Sequence, residues 1–224
     1  MTTPLIDATE MYLRTVWELE EEGITPIRAR LVERLGLSAP AVSETVARLE
    51  HDGLVHVADN RTLELSDYGR ELAVGVMRKH RLAELLLTEV IGLEWEEVHN
   101  EACRWEHVIS DAVEQRLVDL LGSPTTCPHG NPIPGLSPAD EQIDPDLLPM
   151  IQAAKSGGRA RVTRISEKLQ GDVGAMRFLR QHGLRPGVTA GLRIDGGMVL
   201  AEVDGQAVTV PDEAAEHVYV LPAA

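Results

Sequence analysis

The heptapeptide Glu101-Ala102-Cys103-Arg104-Trp105-Glu106-His107 brings a thiol, a carboxylate and an imidazole together, and His99 stands one helical turn before Cys103. At about 100° per residue these side chains share one stripe of a helix, a face of sulfur, nitrogen and oxygen donors suited to a metal ion. His99 and Glu106 are still about 10 Å apart along such a helix, at a rise of about 1.5 Å per residue, so one ion does not serve the whole stripe. Two sites are the economical reading: one on Cys103, Glu106 and His107, the other on His99 with His80 and Glu84, which lie one turn apart upstream. Each needs further ligands from elsewhere. A lone thiol is often a small buried apolar group, and His or Glu at helical spacing often forms a solvated ion pair; the clustering is what favours metal. Met11 adds a thioether on the side of its helix away from Ile6, Leu13, Val16 and Trp17, where it has no local core to fill. A mixed donor set of this kind suits Fe²⁺, Co²⁺ or Ni²⁺ rather than Mg²⁺ or Ca²⁺, and the paired Cys-x-x-Cys spacing of a closed zinc site is missing.

These donors need helices to hold them. The periodicity predicts a helix over 4–22, then Thr25 as cap and Pro26 as first residue of a helix running from Ile27 to Leu35 and ended by Gly36. Ser38 caps a further helix through Val42, Val46 and Leu49, at helix-turn-helix spacing. Alternating Leu54-Val57 and Thr62-Leu65, joined by an Asp59-Asn60-Arg61 turn, read as a hairpin of wing type. A long helix from Asp67 to about Val90, one through His107 and one from Ser110 to Leu121 make the middle part all helical, with Gly122 as a C-terminal cap. A proline-rich turn segment, 123–135, leads into an acidic linker. Beyond it, Arg159–Ile165, Thr189–Ile194, Met198–Val203, Ala207–Val210 and His217–Leu221 are strand-like, with a helix around Asp172–His182, which predicts a small β-barrel.

With 224 residues and 43% hydrophobic content, the chain has room for two or three small domains. No basic start precedes an apolar run and no stretch is apolar enough to span a membrane, so no membrane role is expected and the cytoplasm is the default. The two cysteines are better explained as reduced thiols than as a disulfide. A net charge of −15 argues against generic binding to phosphate backbones. From Thr25 to Arg61, however, Arg28, Arg30, Arg34, Arg48 and Arg61 balance Glu33, Glu44, Glu50, Asp52 and Asp59, so the acid excess lies elsewhere.

The strings Thr9-Glu10-Met11-Tyr12-Leu13-Arg14, Met77-Arg78-Lys79-His80-Arg81-Leu82-Ala83-Glu84, Glu97 through His107 and Gly130-Asn131-Pro132-Ile133-Pro134-Gly135 resemble the diphtheria toxin repressor family, specifically its iron-dependent regulators. The similarity spans nearly the whole chain. It implies a mainly α protein: a winged helix-turn-helix over 1–66, a helical dimerisation and metal-binding domain over 67–140, a linker over 141–149 and an SH3-like domain over 150–224. It implies a primary metal site of Met11, Cys103, Glu106 and His107, and an ancillary site of His80, Glu84 and His99 completed by Glu167 and Gln170. Two Fe²⁺ per subunit are expected, with Co²⁺, Ni²⁺ or Mn²⁺ as substitutes. Manganese sensors of the family place carboxylates where Met11 and Cys103 stand, so the sulfur donors favour iron.

The implied function is an iron-activated homodimeric repressor of palindromic operators in double-stranded DNA, controlling iron acquisition, with two dimers per operator as one arrangement. Ser38, Pro40, Ser43, Glu44, Arg28, Arg48 and Arg61 are the expected DNA-facing residues. Glu44 stands where iron-type members usually carry Gln; a carboxylate cannot donate to adenine and favours cytosine N4, so an altered base preference is expected. Cys127 stands where relatives use Ser to bind an anion with Arg81 and Asn131, which puts that anion site in doubt. The protein is not expected to be an enzyme. The first alternative is a manganese-responsive repressor of the same family; below it stand a metal-dependent hydrolase, for which no separate nucleophile or substrate loop is evident, and a metal-independent regulator whose polar stripe is an ion-pair network.

Overall fold

A computed structural model describes residues 8–136, 144 and 146–223. The first helix, α1 (Ala8–Glu21), turns Tyr12, Leu13, Val16 and Leu19 into a core and ends before Gly23, whose φ of 70° only glycine adopts freely. The start expected at residue 4 and the contact expected from Ile6 lie outside the described residues. α2 (Arg28–Leu35) and α3 (Ala39–His51) follow, with Gly36 left-handed at φ 64° and Ser38 accepting from the Ala41 N–H. The expected Thr25-Pro26 cap is corrected: Ile27 holds the N-cap position in extended conformation and without a side-chain cap. Pro26 is instead drawn to the wing, where its carbonyl accepts from the Leu63 N–H at 2.8 Å.

That wing is β1 (Val55–Val57) paired antiparallel with β2 (Leu63–Leu65), Val55 opposite Leu65. Between them Arg61 takes a φ of 70° and the Asn60 side chain accepts from the Thr62 N–H. α4 (Asp67–Leu85), capped by Ser66, packs Gly69 so tightly on the wing that an added Cβ would lie 2.1 Å from the Leu54 carbonyl oxygen. Leu13, Leu31, Val42, Val46, Leu49, Leu63 and Ala73 form one core under the helix-turn-helix, so α1 moves with it.

α4 runs on into a π-helical turn, Leu86–Ile91, stopped by Gly92. α5 (Val98–Trp105) is shorter than expected: Glu106 is its C-cap and His107 lies past its end. The cause is the Ser110 cap, which opens α6 (Asp111–Leu120) and forces the chain to leave the helix within a few residues. A closed turn follows in which the Cys127 N–H donates to the Asn131 carbonyl and the Gly130 N–H to the Cys127 carbonyl.

The C-terminal part is a sheet domain: β3 (Leu148–Pro149), α7 (Met150–Ser156), β4 (Gly158–Ile165), α8 (Glu167–Gln170), α9 (Val173–Gln181), β5 (Thr189–Asp195), β6 (Met198–Val203), β7 (Gln206–Val210), α10 (Asp212–His217) and β8 (Val218–Ala223). Its strands are ordered β3-β8-β4-β5-β6-β7, each neighbouring pair antiparallel, with β3 and β7 at the two ends. Alternation along β4 buries Ala160 and Val162 in a core with Leu192, Val199, Ala201 and Val220. The helices α7 and α10 go beyond the sequence expectation; each buries a pair of alanines, Ala153 with Ala154 and Ala214 with Ala215, against the sheet. The last strand accordingly begins at Val218 rather than His217.

Candidate metal centre

Polar side chains from α1, α4, α5 and α8 converge where the helical and sheet parts meet. α4 supplies His80 and Glu84 on one face, one turn apart; α5 supplies His99 one turn before Cys103; α8 brings Glu167. Ligand atoms of His80, Glu84, His99 and Glu167, all buried, lie within 4.8 Å of one another. His80 Nε2 is 3.1 Å from Glu84 Oε1 and 3.2 Å from His99 Nδ1, while Glu167 Oε2 is 3.2 Å from His99 Nδ1. Glu84 Oε2, Glu167 Oε2 and Gln170 Oε1 are buried without a hydrogen bond, and Gln170 donates its amide to the Ile165 carbonyl. Unbonded buried oxygens are costly unless something positive faces them, so this donor set fits a divalent cation. His80 Nδ1 is held by Glu106 Oε2 at 2.6 Å, the outer hydrogen bond that orients a metal-ligating imidazole.

The second group is built differently. Met11, Arg14, Cys103, Glu106, His107 and Glu167 line a cavity of about 370 Å³. Met11 also packs partly against the helix-turn-helix core, so it is not without apolar neighbours as expected. Arg14 Nη1 lies 2.6 Å from each Glu106 oxygen and 3.5 Å from Cys103 Sγ, and Arg14 Nε donates to Glu18 at 2.6 Å. His107 Nδ1 is 2.6 Å from Glu10 and its Nε2 3.1 Å from Glu106. His99 Nε2, 3.5 Å from Cys103 Sγ, joins the two groups. The ligand atoms of His80, His99 and Cys103 again lie within 4.8 Å of one another.

Sequence reasoning misses Arg14 and Glu10, although Arg14 follows Met11 by three residues and so shares its helix face.

The electrostatics follow from this packing. Burial acts to raise the Cys103 thiol, but Arg14 and His99 outweigh it and hold it well below its usual value, as a thiolate. Burial would likewise raise Glu106 and Glu84; Arg14 keeps the first ionised, His129 and His80 the second. Burial pushes His80 and His99 down, yet the surrounding carboxylates and the Cys103 sulfur draw both well above the ordinary range. The site is therefore a set of anions neutralised from within by protonated imidazoles and one guanidinium.

The residues expected at an anion site are engaged. Arg81, fully buried, donates to Glu21 and to Glu167 and stacks over Trp17. Asn131 donates to the Ile165 carbonyl, and Cys127 Sγ accepts from the His129 N–H.

On the opposite side of the N-terminal part, Ser38, Pro40, Ser43, Glu44 and Arg48 are exposed along α3, Arg61 is exposed in the wing turn, and Arg28 is half-buried. Ile27, Arg28, Ser43, Asn60 and Arg61 line a cleft of about 580 Å³ between α2, α3 and the wing. Among the described residues no carboxylate pairs with Arg28, Arg48 or Arg61, so their charge is available to a polyanion.

Comparisons with known proteins agree with this division. Residues 4–63 match the model of the iron dependent repressor N-terminal DNA binding domain, 66–135 that of the iron dependent repressor metal binding and dimerisation domain, and 151–222 the FeoA domain. The chain is 50% identical to the iron-dependent repressor IdeR of Mycobacterium tuberculosis, over 96% of this chain and 97% of that one. It is 50% identical to the diphtheria toxin repressor of Corynebacterium efficiens, over 96% of each. Among solved structures it is similar to a manganese-dependent transcriptional repressor in complex with manganese, at 31% identity and a TM-score of 0.81, covering 96% of this chain and all of that one. No helix among the described residues is long and apolar enough to cross a membrane.

Proposed function

The chain belongs to the iron-dependent repressor family and is a metal-dependent transcriptional regulator rather than an enzyme; from that premise we propose that ferrous ion activates it to repress genes of iron acquisition. The supporting observation is that Met11 of α1 lines the same cavity as Cys103, Glu106 and His107 of the α5 end. Met11, Cys103, Glu106 and His107 would hold a primary ion, and His80, Glu84, His99, Glu167 and Gln170 an ancillary one. When bound, each ion supplies a divalent positive charge among sulfur, imidazole and carboxylate donors.

The chain's own residues convert that charge into DNA binding. Glu10 positions His107 from α1, and Arg14 ties α1 to Glu106, so the donors of the primary set are already spread over the two parts that must be locked together. Because α1 shares its core with α2 and α3, fixing α1 fixes the recognition helix. In a homodimer this sets the separation of the two α3 helices to match half-sites one helical turn, or a multiple, apart. Ser38, Pro40, Ser43 and Glu44 then face base edges, while Arg28, Arg48 and Arg61 face phosphates. The working division is 1–66 for DNA, 67–140 for dimerisation and metal, 141–149 as linker and 150–224 as an SH3-like domain, with two dimers per operator as an arrangement to test. Its place of action is the cytoplasm, with the DNA.

Manganese is the second reading, carried by the similarity to the manganese-dependent repressor. Footprinting of genomic DNA with Fe²⁺, Mn²⁺ or chelator in parallel separates the two: protection is expected with Fe²⁺, weaker with Mn²⁺ and absent with chelator. Protection unchanged by chelator would overturn the metal-dependent reading. Glu44→Gln should shift the selected operator by about 1–3 kcal/mol at the base it faces, from cytosine toward adenine; identical operator preferences for the two proteins would show that Glu44 reads no base.

A further inference from the structure

A third donor cluster shares Glu84 with the His80, His99 and Glu167 group and adds two residues that belong to neither set above. The ligand atoms of Glu84, Cys127 and His129 lie within 4.8 Å of one another, and all three residues are buried. His129 Nε2 lies 3.2 Å from the Trp95 carbonyl oxygen, an acceptor only, so that nitrogen carries the ring proton. The other ring nitrogen, Nδ1, is turned toward Glu84. It sits 3.2 Å from Glu84 Oε1 and makes no hydrogen bond, and Glu84 Oε2 is also buried without one. Two lone pairs facing each other in a buried site repel unless a proton or a metal cation lies between them.

We propose that Glu84, Cys127 and His129 form a further binding site for a borderline divalent cation, sharing the Glu84 carboxylate with the His80, His99 and Glu167 set. Thiolate, imidazole and carboxylate together select Zn²⁺, Co²⁺ or Fe²⁺ over Mg²⁺ or Ca²⁺, and three protein donors leave a coordination position open for water. Glu84 Oε1 faces both His80, at 3.1 Å, and His129, at 3.2 Å, so this carboxylate is common to the two sites, and its Oε2 is left unbonded as a second donor. As a plain packing residue, Cys127 would need no anion and no imidazole beside it.

The turn that carries the donors is braced for the task. The Cys127 N–H donates to the Asn131 carbonyl at 2.9 Å, and a Cβ on Gly130 would lie 2.0 Å from the Thr163 carbonyl oxygen of β4. The Ile165 N–H donates to the His129 carbonyl at 3.0 Å. A cation held here therefore pins the turn to α4 and, through β4, the sheet domain to the helical part. The site rests on the metal-sensing reading only through Glu84, and its other two donors belong to neither proposed set.

The test uses Co²⁺ alone, added anaerobically to full-length protein. The chain has two cysteines, so in Cys103→Ser any thiolate-to-cobalt charge-transfer absorption comes from Cys127. That absorption is expected to persist in Cys103→Ser and to vanish in Cys103→Ser/Cys127→Ser, with bound cobalt falling by about one ion per chain. Circular dichroism checks that each variant is folded. Should the double variant not fold, Cys103→Ser/His129→Gln replaces it and is expected to weaken Co²⁺ binding read on the same absorption by about tenfold or more. Absence of the absorption in folded Cys103→Ser at saturating Co²⁺ overturns the proposal, whether or not cobalt binds elsewhere. Loss of part of the wild-type absorption on Cys103→Ser reports separately on the primary set, so failure of one reading is not mistaken for failure of the other.

Discussion

Around His80, Glu84, His99 and Glu167 the donors face one another with buried oxygens left unbonded, whereas around Cys103 and Glu106 the Arg14 guanidinium already occupies the space between the anions. The first group is assembled by α4, α5 and α8 and holds its shape through contacts to its outer side, such as Glu106 on His80 and Arg81 on Glu167. The second depends on α1, which can bring either a cation of its own or the Met11 thioether to the same anions. A preassembled cluster binds an ion without large rearrangement. A cluster neutralised by a side chain must release that side chain first, which couples ion binding to the position of α1.

Breaking the scaffold of the preassembled group has the largest expected effect. Glu167→Ala removes a carboxylate from fully buried Arg81 and should destabilise the metal-free protein by about 3–5 kcal/mol in urea denaturation. A loss below about 1 kcal/mol would show that Glu21 alone satisfies Arg81 and that the cluster owes little to α8.

Arg14→Met addresses the other side of the contrast and should move two quantities in opposite directions. Metal-free stability falls by about 1–3 kcal/mol, because Glu106 loses charge-assisted hydrogen bonds. Affinity for Mn²⁺ or Co²⁺ at the Cys103 set rises about tenfold in calorimetric titration, because no guanidinium has to leave. Weaker metal binding would mean that Arg14 supports the donors rather than competing with the ion.

The smallest effect lies in neither cluster and serves to isolate them. Burial, reinforced by Lys168 and Arg34, lowers the His217 imidazole from 6.5 to about 4. An unfolded chain takes up this proton as the pH falls below about 6.5, whereas the folded one does not until about 4, so stability present above that window is lost on acidification through it. Replacing His217 by Gln should flatten that part of the stability profile while leaving metal titrations near pH 7 unchanged. An unaltered slope would show that His217 does not carry this acid sensitivity; His80 and His99, drawn above the ordinary range, lose their contribution as the pH rises and cannot replace it.

Much of this fold is legible in the residue order. The Gly36-x-Ser38 joint, the wing alternation, the helix start at Ser110 and, apart from the start of the last one, the strand runs stand where local rules place them. The failures have physical causes. Thr25-Pro26 satisfies a local capping rule, but a tertiary hydrogen bond from Leu63 claims the Pro26 carbonyl. At 7 and 6 residues, α7 and α10 are too short to show a helical period. Arg14 lies 92 residues from Glu106, and no pattern within one helix reveals that pairing.

What the amino-acid order determined by itself is the kind of chemistry: periodicity places His80 with Glu84 and His99 with Cys103 on single helix faces, because side chains one turn apart on an α-helix must be neighbours. Which faces then meet was decided by the packing of α1, α4, α5 and α8. That packing placed Arg14 among the Cys103 anions and His129 beside Glu84, since distances between helices depend on apolar cores far from the donors themselves.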